Sequence, residues 1–322
     1  MSLKFVVTGC AGFIGSNFCD RLLQDSHSVI GIDNFSTGKS EFIESALNQE
    51  RFTLIEGDLL IPETFTEVFE GADFVIHLAA NADVRFGINR RNVDLEQNTI
   101  ATFNVLEAMN NFGVKKIAFA STGSVYGEAA VFPTPEDAPF PVQTSLYAAS
   151  KLACEGMITS YCEGLDFQSW IFRFVSILGD RYTHGHVFDF YNQLVKDHKS
   201  LFVLGDGKQR KSYLHVKDCI DAVILAMEEA NEKVNIFNLG TDEYCNVDQS
   251  IAWICEQLNY KPSVSYGGGQ RGWVGDNPFI FLDTGRIKSL GWRPNYSIEE
   301  GVKSTVDFLK KNKWVFDSEV VE

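Results

Sequence analysis

The 322-residue chain has no apolar run approaching the ~18–20 residues that a membrane-spanning helix needs, so no membrane span is expected. Its opening, MSLKFVVTGC, carries one lysine and passes straight into a strand pattern. It lacks the charged region, longer apolar core and cleavage site of a secretory signal, and a cytoplasmic protein is expected. The seven cysteines (Cys10, Cys19, Cys154, Cys162, Cys219, Cys245 and Cys255) are odd in number and form no CxxC. Scattered among apolar neighbours, they read as reduced, mostly buried thiols rather than a disulfide framework or a metal site. The six histidines show no HExxH or other paired-ligand spacing, and no metal is expected. Positive charge is in deficit: 28 Lys and Arg stand against 43 Asp and Glu, a net charge of −15. Nucleic acid and anionic membrane would be repelled overall and are excluded as expected partners, whereas a small anionic ligand would need local donors. Internal repeats, low-complexity tracts and an evident linker are also missing.

What is present is an ordinary globular balance, 45% hydrophobic and 22% charged, sufficient for one large or two medium domains. Apolar strands at 3–8, 28–33, 52–58, 73–80, 115–121 and 167–174 alternate with helix patterns at 12–24, 63–70, 93–112 and 145–163. This alternation predicts an α/β fold with a doubly wound parallel sheet of the Rossmann type, covered on both faces. After about residue 175 the rhythm gives way to turn-rich stretches such as LGDGKQRKSY and YGGGQRGWVGDNP. Helices are expected near 187–198, 216–230, 247–258 and 298–311. The reading is a first domain over 1–175, with segments near 213–240 returning to it, and a smaller α/β substrate-binding lobe over 176–322.

Two motifs carry chemistry. TGCAGFIG follows the first strand and opens the first helix, with Gly9, Gly12 and Gly15 spaced to allow a tight turn, close approach of a pyrophosphate and packing of helix on strand. Asp33 ends the second strand, placed to bond a ribose diol and to repel a 2′-phosphate, which favours NAD over NADP. Asp58 ends the third strand near an adenine position, and HLAA (77–80) ends the fourth with small residues. In SLYAASK, Tyr147 and Lys151 lie four apart on one helical face, where an ammonium beside a phenol is expected to lower the phenol pKa for acid/base work. Upstream, ASTGSVYG (120–127) offers the hydroxyls of Ser121, Thr122 and Ser124, and no carboxylate.

Together with NTIATFNVLEA (98–108), LGDGKQRKSYLHVKD (204–218) and LGWRP (290–294), these motifs resemble the extended short-chain dehydrogenase/reductase family nearly end to end. Within it the chain is most similar to NAD-dependent nucleotide-sugar epimerases of the UDP-galactose (UDP-glucose) 4-epimerase type. The resemblance implies Thr122, Tyr147 and Lys151 as catalytic residues. It implies NAD contacts from Gly9, Gly12, Phe13, Ile14, Gly15, Asp33, Asn34, Asp58, Leu59, Leu78, Ala79, Ala80, Asn98, Tyr147 and Lys151. A UDP-sugar would meet Ser124, Ser176, Lys211, Arg271 and Asp276, with Arg210 able to substitute for Lys211. It further implies a homodimer packed through the helices near 93–112 and 145–163. Ser176 and Lys211 depart from the Asn and Arg common in the family, and both bear on which sugar is taken. Family 4,6-dehydratases carry a carboxylate directly after the catalytic hydroxyl, where this chain has Gly123 and Ser124. Epimerisation is therefore favoured over dehydration. UDP-uronic acid 4-epimerisation or decarboxylation and a non-catalytic NAD-dependent sensor stand as alternatives.

Overall fold

The computed structural model describes residues 2–81, 86–140, 142–272 and 276–316. Up to Phe174 the chain supplies six strands: β1 (Lys4–Thr8), β2 (Ser28–Asp33), β3 (Phe52–Glu56), β4 (Phe74–His77), β5 (Lys116–Thr122) and β6 (Gln168–Phe174). The remainder supplies β7 (Ser176–Leu178), β8 (Ser200–Val203), β9 (Arg210–Lys211), β10 (Tyr213–His215), β11 (Val234–Leu239), β12 (Cys245–Asn246), β13 (Ser263–Tyr266) and β14 (Phe279–Ile280). Seven of these form one sheet in the order β11-β6-β5-β4-β1-β2-β3, and every pairing in it is parallel. The direction of winding reverses between β1 and β4, and such a reversal opens a crevice at the carboxyl ends of the strands.

Successive strand residues face opposite sides, so the sheet separates two apolar layers. Val6, Val75, Ile117 and Ile171 pack with Val105 and Met109 of the helix Ala101–Asn111 and with Cys154 and Ile158 of the helix Leu146–Leu165. Val7, Ile76, Ala118, Trp170 and Phe172 pack on the other side, with Phe18 and Leu22 of the helix Phe13–Gln24 and Cys219 and Val223 of the helix Val216–Glu229. Six of the seven thiols are buried. Among the described residues no helix is long and apolar enough to cross a membrane.

The strand and helix expectations are largely met, with two differences. The segment near 63–70 is two 3₁₀ turns, Pro62–Thr64 and Thr66–Phe69, because Phe65 breaks the run at φ −143°. The helix expected over 93–112 opens as a π-helical stretch, Leu95–Ile100, before becoming α-helical. Beyond the sheet, β7 pairs with β10, β8 with β13, and β9 lies between β12 and β14. Helices His186–Lys196, Val247–Leu258 and Ile298–Lys311 complete this region, the last two opened by capping boxes (Asn246 with Gln249, Ser297 with Glu300).

The turn from β1 into the first helix is built on missing side chains. Gly9 sits at φ +70°, and a Cβ there would lie 2.9 Å from the Ala79 amide nitrogen. A Cβ on Gly15 would lie 2.0 Å from the Gly9 carbonyl oxygen, so the helix reaches the strand only because Gly15 has none. Gly15→Ala is expected to cost roughly 1–3 kcal/mol of stability through the forced backbone shift. Urea denaturation reads this as a lowered midpoint, and an unchanged midpoint would contradict the account.

Candidate active site

The carboxyl ends of β1, β2, β4 and β5 gather the residues singled out in the sequence. Gly12 stands at the N-cap of the first helix and has no side chain to close the first turn. The amides of Phe13, Ile14 and Gly15 are therefore what an incoming diphosphate would meet. The side chains of Phe13 and Ile14 are engaged elsewhere. Phe13 meets Tyr182 edge-on at 5.6 Å, and the partly buried Ile14 packs against the apolar layer. Asp33 is buried and accepts from the Ala11 amide at 2.9 Å and the Phe35 amide at 2.9 Å. The second bond is an Asx turn, so turn-forming and ligand-facing readings of Asp33 coexist: a carboxylate has about four acceptor sites, and the turn amides do not use all of them. Burial pushes its pKa up, against the pull of these amides. Asn34 donates to Asp58 at 3.3 Å, and Asp58 also accepts from Leu60 N at 2.9 Å. Leu59 is buried, its carbonyl held by Asn104 at 2.7 Å.

Beneath this rim, Thr8 joins β1 to β4. Its hydroxyl lies 2.7 Å from His77 Nδ1 and accepts from the amides of Leu78 and Ala79 at 3.2 Å each. The other ring nitrogen of His77 is 2.9 Å from the Thr102 hydroxyl. Full burial lowers the His77 pKa to about 3, so the ring is a neutral spacer. Ala80 follows, half-buried. These are donors, a cradle free of side chains and an acceptor in the arrangement a dinucleotide requires, and the residues fit NAD.

At the end of β5, Thr122 is buried and close enough to the Tyr147 phenol to ease its ionisation. Thr122 Oγ1 also accepts from the Ser124 amide at 3.1 Å, capping the short turn Gly123–Tyr126. Tyr147 and Lys151 come from the first turns of the helix Leu146–Leu165, whose N-cap, Ser145, accepts from Ala148 N. Lys151 is 2% exposed, donates to the Ala120 carbonyl at 2.9 Å and lies over the Phe119 ring at 4.8 Å. Burial lowers its pKa to about 8. The Tyr147 phenol is pushed well above its ordinary value, first by burial and then by the Asp94 carboxylate. The lowering expected from Lys151 does not prevail in the protein itself: burial and the Asp94 carboxylate set the direction.

Asp94 is a residue that motif spacing did not single out. It is 1% exposed; Oδ1 accepts from Asn81 Nδ2 at 2.8 Å, while Oδ2 is buried without a hydrogen-bond partner. Asn98 takes the Asn81 amide at 2.8 Å and donates to Ser150 at 2.8 Å, and Ser150 donates to the Tyr147 carbonyl at 2.8 Å. Asp94 caps the π-helical stretch and Asn98 lies four residues on within it, a spacing that was available in the sequence but is hidden there among other acidic residues.

The remaining candidates divide. Lys211 bonds Asp276 at 2.6 Å, and Asp276, 4% exposed, also accepts from Gly272 N at 3.0 Å. Arg271 pairs with Glu128, which follows the turn after Thr122. Lys211, Arg271 and Asp276 are thus brought together, each cation already facing a carboxylate. Arg210 does not join them. Neighbours on a strand point to opposite faces, and its guanidinium lies over Phe279 at 4.1 Å and Tyr244 at 5.5 Å. The expectation that it could replace Lys211 is corrected on this ground. Ser176 is exposed at the start of β7, in register with Tyr213. Ser124 is half-buried on its turn.

With this geometry in place, comparison with known proteins is direct. Residues 5–240 match the NAD dependent epimerase/dehydratase family. A putative UDP-glucose 4-epimerase of Methanocaldococcus jannaschii is 31% identical over 95% of this chain and 98% of its own. The crystal structure of a UDP-galactose 4-epimerase superposes with a TM-score of 0.88 at 34% identity, covering 97% of this chain and all of that one. A UDP-glucuronic acid 4-epimerase from Bacillus cereus, solved with UDP-glucuronic acid and NAD, gives a TM-score of 0.88 at 27% identity over 96% and 99% of the two chains. The sheet with its reversal at β1 and β4 is accordingly that of an enzyme that uses NAD, and the chain belongs to the NAD dependent epimerase/dehydratase family.

Proposed function

We propose that the protein inverts carbon 4 of a UDP-hexose, UDP-glucose/UDP-galactose or an N-acetyl form, through a transient 4-keto sugar. The observation that carries this choice is the surroundings of Gly123. A Cβ there would lie 3.3 Å from the Phe174 carbonyl oxygen and 3.1 Å from Leu282 Cδ1. The position directly after Thr122 is therefore tight for any side chain, and neither Gly123 nor Ser124 presents the carboxylate that elimination needs.

When bound, oxidised NAD supplies a hydride acceptor for sugar carbon 4 and a positive charge beside the phenol. Tyr147 holds and moves the proton of the sugar 4-hydroxyl, and Thr122, beside it, orients the 4-oxygen. Lys151, anchored at Ala120, supplies the cation that favours phenolate, and Asp94 opposes it. Lys211 and Arg271 would turn from their carboxylates to the diphosphate, and Asp276 would accept from the ribose diol. A second reading, a UDP-uronic acid substrate, is supported by the likeness to the Bacillus cereus enzyme. A homodimer is supported by Leu95, Ile100, Phe103 and Leu146, which are apolar and 40–54% exposed on the two helices assigned to it.

Three outcomes are expected. Purified protein incubated with a panel of UDP-sugars, products resolved by NMR, inverts carbon 4 of UDP-galactose without added NAD, and Tyr147→Phe loses at least ~10²-fold in kcat. Inertness toward every UDP-hexose with turnover of a UDP-uronic acid would move the substrate to the second reading. Asp94→Asn removes a charge that disfavours phenolate, so the acid limb of the kcat–pH profile moves to lower pH; a limb that stays or rises contradicts the assignment. Phe103→Glu shifts the sedimentation coefficient from dimer to monomer, and a native protein that sediments as a monomer rules the dimer out.

A further inference from the structure

Ser121 and Tyr126, which bracket Thr122 and Ser124 in the chain, are both held by one buried ion pair that the chemistry above leaves unused. The side chains of Glu155 and Arg173 are 6% and 3% exposed. Arg173 sets Nη2 2.7 Å from Oε2 and Nε 3.1 Å from Oε1 of Glu155, a two-pronged contact. The Ser121 hydroxyl donates to Oε1 of the same carboxylate. On its far side, Arg173 Nη1 donates to the Tyr126 hydroxyl at 2.7 Å and to the Glu136 carbonyl at 2.8 Å. Burial pushes the Tyr126 pKa up to about 12, so the neutral phenol donates in turn to Asn238 Oδ1 at 2.8 Å. Asn238 closes the chain by donating to Glu136 Oε1 at 2.9 Å and to the Thr134 carbonyl at 2.9 Å.

The placement follows from two periodicities. Tyr147, Lys151 and Glu155 lie four apart and share one helix face. Phe119 and Ser121 lie two apart and share the strand face turned to that helix. Lys151 accordingly covers Phe119 while Glu155 meets Ser121. Burying two full charges is costly, and apolar side chains of similar volume would be at least as stable there. Apolar side chains could not hold both ends of the segment Ser121–Tyr126 by directed bonds.

We propose that the Glu155–Arg173 pair is a positioning device for this segment, with Glu155 setting Thr122 through Ser121 and Arg173 setting the Ser124 turn through Tyr126. Neither residue touches substrate; both act through the groups that do. The inference rests on the reading that Thr122 and Tyr147 carry out the proton chemistry.

Ser121→Ala and Tyr126→Phe each remove one tie and leave the ion pair intact. On whichever panel sugar the wild type converts, each single variant is expected to lose about tenfold in kcat and the double variant about 100-fold. KM should stay within about threefold, with bound NAD retained. Ser121→Thr, which keeps the hydroxyl, should restore kcat. A double variant with wild-type kcat overturns the proposal, as does a loss confined to KM or to the thermal midpoint. A wild type that converts no sugar of the panel brings down the functional reading and this inference with it; an active wild type with an undiminished double variant brings down the inference alone.

Discussion

The site depends on how the helix Leu146–Leu165 lies along the end of β5. One contact sets that relation: an ammonium, Lys151, bonded to a strand carbonyl, Ala120, at the edge of an apolar layer. Strand carbonyls at the end of a parallel sheet lose their neighbours and must find donors. Lys151 meets that need while delivering positive charge to the place where a phenol is asked to ionise. The same bond thus completes the sheet and charges the site, and its geometry leaves little freedom for Tyr147, one turn earlier.

Electrostatics in this site is a balance of opposed terms rather than a single activation. Burial raises the phenol and lowers the ammonium, both toward neutral forms. Asp94 raises both groups, favouring the protonated phenol and the charged amine together. A buried carboxylate with one oxygen unpartnered is expensive to keep, and its own pKa is raised by the same burial. Burial and Asp94 thus both favour the proton on Tyr147, and positive charge close to the phenol opposes them.

Much of this was legible in the sequence where a local rule acts alone. The sheet strands fall within a few residues of their apolar runs, and the glycine loop, Asp33, Thr122, Tyr147 and Lys151 stand where spacing put them. Failures came where two neighbours compete for one role or where position depends on distant chain. Arg210 and Lys211 are adjacent cations, and only strand pairing with Cys245–Asn246 and Phe279–Ile280 decides which one faces Asp276. Asp94 is one acid among 43 Asp and Glu, and its burial follows from a π-helical turn that no pattern announces. Phe13 and Ile14 sit in the dinucleotide motif, yet their side chains serve the core, because a motif specifies backbone there and leaves the side chains to packing.

The crowding around Gly123 reaches past the identity of one residue. Its limits are a main-chain oxygen on β6 and two aliphatic side chains, Leu282 and Ile280, that arrive from the far end of the chain. The separation between β5 and β6 is set by their hydrogen-bonded ladder, and such a spacing does not yield to a single substitution. The lack of a side chain directly after Thr122 is thus tied to how closely distant segments approach it. A side chain placed there would call for a few tenths of an ångström of give from the C-terminal segment, which couples the end of β5 to a distant part of the chain.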